Sequence, residues 1–302
     1  MDYPPMTIGV VTYSGSFINF SSFLTELGPA LAHYPGLCQL VVVNNSGQDA
    51  LADTEAAVQK SSINQHTDCV VVASVENNIA IGRNTVFEHA RHDLVALIDD
   101  DEFPTPAWLV HLVDTLQRNG CGVVAGPALP LYLFDTPKWI RSLDLHRANG
   151  KQTDQMINNC PTANVLIDRR CIVGELFNPD YGKSGGEDSE FFLRQRDAGV
   201  NMRWSNEAVV YEYIPSSKST TRYMIKRSVL QGALNRRILT ARGDIASQPK
   251  FVARSIVVFT GSLIIGTGLC IIGHNRAGHW LQRAFGNLGH CLSFRSGLYP
   301  HA

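Results

Sequence analysis

Through the first 125 residues, short apolar runs alternate with apolar positions at helical spacing. Residues 7–13 (TIGVVTY) form a β-branched apolar run, and Phe17, Phe20, Phe23, Leu24, Leu27 and Leu31 then recur every three or four residues. Residues 40–43 (LVVV) are a second strand-like run, closed by the turn cluster Asn44-Asn45-Ser46-Gly47. Residues 69–73 (CVVVA), 94–98 (LVALI) and 121–125 read as further strands, and 79–92 and 106–117 as helices, the latter with Pro106 at its first turn. Strands alternating with helices predict βαβ units, hence an α/β fold with a mostly parallel central sheet covered on both faces. Ligands of such sheets bind beyond the carboxyl ends of the strands.

From 128 to 215 the pattern is less regular. Residues 163–167 and 209–213 read as strands, and 187–198 as a helix ending at Gly199. Beyond 216 the character changes. Residues 222–240 form a basic helix interleaved with Tyr223, Ile225, Val229, Leu234 and Ile238, and 255–273 is a stretch of 19 uncharged residues. A bilayer span needs about 20 apolar residues, so that stretch suits a span, although its four glycines equally suit a helix lying in the interface. The boundary divides the chain into a 1–215 catalytic-type domain and a 216–302 helical, membrane-associated region.

Charge reinforces the division. The formal net charge of −1 hides 14 basic and 26 acidic residues in 1–215, against 12 basic residues and the single acid Asp244 in 216–302. A basic tail seeks phosphate, and because the acidic part repels nucleic acid, an anionic membrane surface is the expected partner. A basic segment ahead of an apolar one marks the cytoplasmic side. No basic run followed by an apolar stretch opens the chain, so a signal peptide is not expected. The seven scattered cysteines contain no CxxC pair, which argues against structural zinc and suits a reducing compartment.

Two acidic clusters carry candidate chemistry. Asp99-Asp100-Asp101-Glu102 follows LVALI directly. Mg²⁺ or Mn²⁺ bridging to phosphate oxygens is one reason to place four acids together, and a solvated turn before the next helix is another. Gly185-Gly186-Glu187-Asp188 opens the 187–198 helix, where a carboxylate suits either a general base or a complement to the helix dipole. Asn164, Arg83-Asn84 and Trp204 read on the residues alone as a turn residue, helix surface and core, or as sugar contacts.

In this order the pieces resemble the family 2 glycosyltransferases, in particular the bacterial exopolysaccharide type that includes succinoglycan glucosyltransferases, from about Thr7 to Arg237. The segments carrying it are TIGVVTY, VVVNN, ENNIAIGRN, LIDDDEFPTPAWL, GGEDSEFFLR and YEYIP before a basic helix. The resemblance implies a GT-A, Rossmann-like fold and inverting transfer of a sugar, a hexose from a UDP-sugar being expected. The acceptor would be a saccharide or lipid-linked saccharide, at the cytoplasmic face of the inner membrane, bound peripherally or by a single C-terminal span. It implies Asp188 as base and Asp99 and Asp101 as ligands of Mg²⁺ or Mn²⁺. Donor contacts fall to Thr12, Tyr13, Asn44, Asn45, Arg83, Asp100, Lys218 and Arg222, and acceptor contacts to Asn164, Glu187 and Trp204. Three departures stand out: Asn44 replaces a common Asp, Lys218 a common Arg, and Glu212 sits near Val210 where histidine ligands are expected. The alternatives are a sugar-nucleotide nucleotidyltransferase or a non-catalytic sugar- or membrane-binding scaffold. The first lacks its usual glycine-rich basic loop, since Tyr13-Ser14-Gly15-Ser16-Phe17 has one glycine and no basic residue.

Overall fold

The computed structural model describes residues 2–13, 17–65, 67–132, 136–141, 143, 151–245 and 248–292, so residues 14–16 of the loop after the first strand lie outside it. The elements are β1 (Met6–Thr12), α1 (Phe17–His33), β2 (Cys38–Asn44), α2 (Leu51–Lys60), β3 (Asp68–Ala73), α3 (Ile79–His89), β4 (Leu94–Ile98), β5 (Glu102–Pro104), α4 (Trp108–Asn119), β6 (Val123–Ala125), β7 (Ala128–Tyr132) and α5 (Lys138–Arg141). They continue with β8 (Asn164–Asp168), α6 (Glu187–Asp197), β9 (Met202–Trp204), β10 (Val210–Ile214), α7 (Thr221–Ala241), α8 (Gln248–Ile271) and α9 (Ala277–Cys291).

Seven strands form one sheet in the order β3-β2-β1-β4-β8-β6-β9. The β1, β2, β3 and β4 strands run parallel, as successive βαβ crossovers require. The expectation of a mostly parallel sheet holds for this half. β8 enters antiparallel between β4 and β6, because it follows the irregular middle of the chain rather than a βαβ crossover. A second sheet has the order β5-β10-β7, with β10 antiparallel to β5.

Alternation along each strand fills both faces of the large sheet. Met6, Ile8 and Val10 of β1 and Leu94, Ala96 and Ile98 of β4 pack into one core with residues of α1 and α4. Val41 and Val43 of β2 and Val95 and Leu97 of β4 join Val86, Phe87, Phe191 and Phe192 of α3 and α6 in a second. Strands buried on both faces read as the continuous apolar runs seen in the sequence.

The chain forms two compact units: Met1–Leu129, Ala148–Lys183 and Glu187–Glu212 make up the first, and Pro130–Arg147, Ser184–Gly186 and Tyr213–Ala302 the second. In the second, α9 packs on both α7 and α8. A Cβ added at Gly232 of α7 would lie 1.9 Å from the Gly286 carbonyl oxygen, so only glycine lets α7 and α9 approach this closely. α8 is long and apolar enough to cross a membrane, with a mean hydropathy of 1.7, and 17% of its most apolar stretch is buried.

Candidate active site

The site forms where β4 ends. Leu94–Ile98 is wholly buried, and the chain emerges at Asp99 into a turn that the Glu102 amide closes by donating to the Asp99 carbonyl (3.2 Å). The four acids then diverge. Glu102 is buried in β5 opposite buried Glu212 of β10, and burial together with Asp99, Asp101 and Glu212 pushes its carboxyl well above the usual range. Asp100 accepts a hydrogen bond from Thr12 Oγ1 at the end of β1 (2.6 Å). Burial pushes Asp100 up to about 7, held back by that bond and reinforced by Asp101 and Asp99. Asp99 and Asp101 are left half-exposed.

Arg83 is the centre of the arrangement. Its guanidinium, buried in α3, pairs through Nη1 with Glu187 Oε1 of α6, and through Nη2 with Asp99 Oδ1 at 3.3 Å. The bland reading of Arg83 as helix surface is therefore corrected. Ala80, Arg83 and Phe87 share one helical face, and that face is buried. A charge on an apolar stripe was the available signal. α3 itself starts at Asn78, whose side chain accepts from the Ala80 and Ile81 amides.

The α6 helix begins after Gly185 and Gly186, whose φ angles of 80° and 92° favour glycine. Its first turn carries Glu187, Asp188 and Glu190, where acids complement the helix dipole. The buried Glu187 Oε2 has no hydrogen-bond partner. Burial raises the Glu187 and Asp188 carboxyls, and the charge of Arg83 opposes the rise in both.

Within the first unit the structure thus brings together Thr12, Tyr13, Arg83, Asp99, Asp100, Asp101, Glu187 and Asp188. Four other residues named from the sequence are buried. Asn44 donates to the Ala50 carbonyl (3.1 Å) and Thr54 Oγ1 (2.6 Å) and accepts from the Ser46 amide. Asn45 donates to Tyr13 Oη (2.7 Å) and accepts from the Asn78 amide. Both are fully buried and order the turn after β2. Asn164, also fully buried, accepts from Trp108 Nε1 and donates to the Pro127 and Ala208 carbonyls. Trp204 is a core residue with no exposed face, its ring covered by Lys151 Nζ at 3.9 Å. Lys218 and Arg222 belong to the second unit.

A magnesium-type cation takes hard oxygen ligands, often one or two carboxylates completed by substrate phosphates. Asp99 and Asp101 supply such a pair, since Glu102 turns inward and Asp100 is bonded to Thr12. No group of three or more His, Cys, Asp or Glu able to hold a metal occurs among the described residues. The donor set therefore fits a cation shared with the substrate rather than an all-protein centre.

Comparisons with known proteins bear on the family and the fold. Residues 20–172 match the profile of the family described as glycosyl transferase family 2. The succinoglycan biosynthesis protein ExoM of Rhizobium meliloti is 31% identical over 237 residues, covering 78% of this chain and 75% of that protein. The glucosyl-dolichyl phosphate glucuronosyltransferase of Haloferax volcanii is 24% identical over 218 residues, covering 68% and 66%. Among solved structures, the mannosyltransferase PcManGT of Pyrobaculum calidifontis, in complex with GDP-Man and Mn²⁺, superposes with a TM-score of 0.64 at 15% identity, covering 95% and 86%. TarS residues 1–349 of S. aureus, in complex with UDP, gives 0.51 at 13% identity, covering 94% and 88%. At these identities the structural likeness speaks for the fold.

Proposed function

Because the chain belongs to the family 2 glycosyltransferases, with a GT-A-type fold, we propose that it transfers a hexose with inversion from a nucleotide-sugar donor to a saccharide or lipid-linked saccharide acceptor. The observation that carries this reading is the buried Arg83, which ties Asp99 of the acidic turn to Glu187 beside Asp188. That link joins a donor-side carboxylate to an acceptor-side one. The relatives act on or build glycans, so a nucleotidyltransferase or a binding scaffold is not carried further.

Asp188 removes the proton from the acceptor hydroxyl. The oxygen attacks the anomeric carbon as the bond to the nucleoside diphosphate breaks, through an oxocarbenium-like state. A base works best when its pKa lies near the working pH, and burial moves Asp188 in that direction. Glu187, paired with Arg83, sits beside Asp188 on the acceptor side; burial lifts its carboxyl to about 7 and the Arg83 charge opposes that rise. Thr12 and Asp100 form the donor side with Tyr13. Asp101 and Asp99 would hold Mg²⁺ or Mn²⁺, which when bound neutralises the leaving diphosphate as a Lewis acid. Lys218 and Arg222 are assigned to the diphosphate by the family resemblance alone.

Residues 1–215 would be the catalytic domain and 216–302 a membrane-associated region on the cytoplasmic face, with α8 as its apolar element and a lipid-linked acceptor as its reason. The test is a panel of nucleotide sugars with Mg²⁺ or Mn²⁺, scored by release of nucleoside diphosphate with and without saccharide acceptors. Metal-dependent release stimulated by an acceptor is expected. Pyrophosphate release, or no turnover with any donor, would overturn the proposal.

A further inference from the structure

The second unit contains a cavity of about 500 Å³ between α7 and α9, on the flank of the Gly232–Gly286 contact. Its polar lining includes Arg227, Gln231, Asn235, His279, Arg283 and Asn287, and among the described residues its lining contains no carboxylate. Arg227 is half-buried and has no acidic partner among the described residues. Arg283, an exposed residue of the lining, has its guanidinium carbon 5.4 Å from the Trp280 ring. The single acid of residues 216–302, Asp244, is paired elsewhere with Arg242 at 2.8 Å. Two guanidiniums, amides and an imidazole around one concavity make a receptor for an anion with several acceptor oxygens, and planar forks suit phosphate.

The surroundings select the source of that phosphate. α9 packs against α8, where Gly266 lies against Leu281. α8 exposes Ile256, Val257, Ile264, Ile265 and Ile271. A ligand seated in the groove has its anionic end on α7 and α9, and α8, packed on α9, carries the exposed apolar residues of this unit. A free phosphate needs only the first feature, whereas a phospholipid uses both.

We propose that the α7/α9 groove binds the phosphodiester headgroup of an anionic glycerophospholipid, with Arg227 and Arg283 as its forks. This inference rests on the membrane-association reading of α8 and goes beyond it by naming a built site rather than a diffuse charge. Diffuse attraction of basic residues to an anionic bilayer is screened by salt within a few ångströms at high ionic strength. A headgroup desolvated in a groove is screened less.

The test is flotation of the full chain with phosphatidylcholine vesicles, with and without phosphatidylglycerol, at about 0.5 M salt, where the Debye length falls to roughly 4 Å. Arg227→Gln/Arg283→Gln is compared with Lys226→Gln/Arg276→Gln, which removes two exposed charges outside the lining. The groove pair is expected to lose about tenfold in affinity for the anionic vesicles, as expected for about 1.4 kcal/mol, with the control pair close to the unaltered chain. Arg227→Lys/Arg283→Lys, which keeps charge but loses the fork, is expected to fall between them, and it remains informative if the glutamine pair fails to fold. Equal losses in both pairs, or none in the groove pair, would overturn the groove while leaving the membrane reading intact. Binding of millimolar glycerol 3-phosphate that is lost in the groove pair, while vesicle binding is unchanged in that pair, would make a free phosphate ester rather than the lipid the occupant. A chain that binds neither vesicle at any salt concentration overturns the membrane reading and the groove with it.

Discussion

Arg83 and Glu187 stand 104 residues apart in the chain and form a buried ion pair, their side chains 8% and 9% exposed. A second arm of the same guanidinium reaches Asp99. One cation thereby sets the spacing between the acidic turn after β4 and the first turn of α6, and lowers the proton affinity of the carboxylates around it.

Removing that cation has a cost in both folding and chemistry. Arg83→Met leaves Glu187 without its partner in the interior, and breaking a buried pair in this way typically destabilises by about 3–5 kcal/mol. Urea unfolding reads the loss. Arg83→Met/Glu187→Met is expected to recover much of the stability without recovering transfer, so a double variant with normal turnover would make the pair purely structural.

Asp188→Asn should reduce transfer by roughly 10²–10⁴-fold, the usual worth of a positioned base, and leave donor affinity near normal. The pH profile carries a further signature. A base acts deprotonated, so the rate falls as pH drops through its pKa, and burial sets that limb above the range of an ordinary aspartate. A profile flat down to the usual carboxylate range would remove Asp188 from the role.

Asp101→Ala is expected to weaken donor binding only when the divalent ion is present. Calorimetry of a nucleoside diphosphate with and without Mn²⁺ separates the two conditions. Equal affinities for the variant and the unaltered chain in Mn²⁺ would take the cation off this turn.

Gly232→Ala places a methyl group against the Gly286 carbonyl, at a 1.9 Å separation that must be relieved by parting α7 and α9. Overpacking of this kind costs about 1–3 kcal/mol. Thermal unfolding followed by circular dichroism measures it, and an unchanged melting temperature would mean the helices separate freely.

The thiols report on α8. Burial pushes Cys38 up to about 12 and Cys69 and Cys121 up to about 11, so these three should resist alkylation in the native protein at neutral pH. Cys270, exposed near the end of α8, should react in solution and become protected by anionic vesicles. Equal labelling with and without vesicles would place that end of α8 outside the bilayer.

Local pattern was sufficient wherever one segment decides its own structure. The run LVALI is buried on both faces and became the central strand β4, and the acids that follow it mark the ligand end of the sheet because charge cannot continue into a core. The glycine pair before Glu187 likewise announced the start of α6. Tertiary structure decided which polar groups face a ligand and which serve the interior. Asn44, Asn45, Asn164 and Trp204 carry sugar-binding chemistry as residue types, and all four lie buried in the fold, while Arg83, on a helix that reads as ordinary, became the bridge. A side chain's chemistry is set by its own atoms. Its availability is set by partners that can lie a hundred residues away, and no local spacing encodes them.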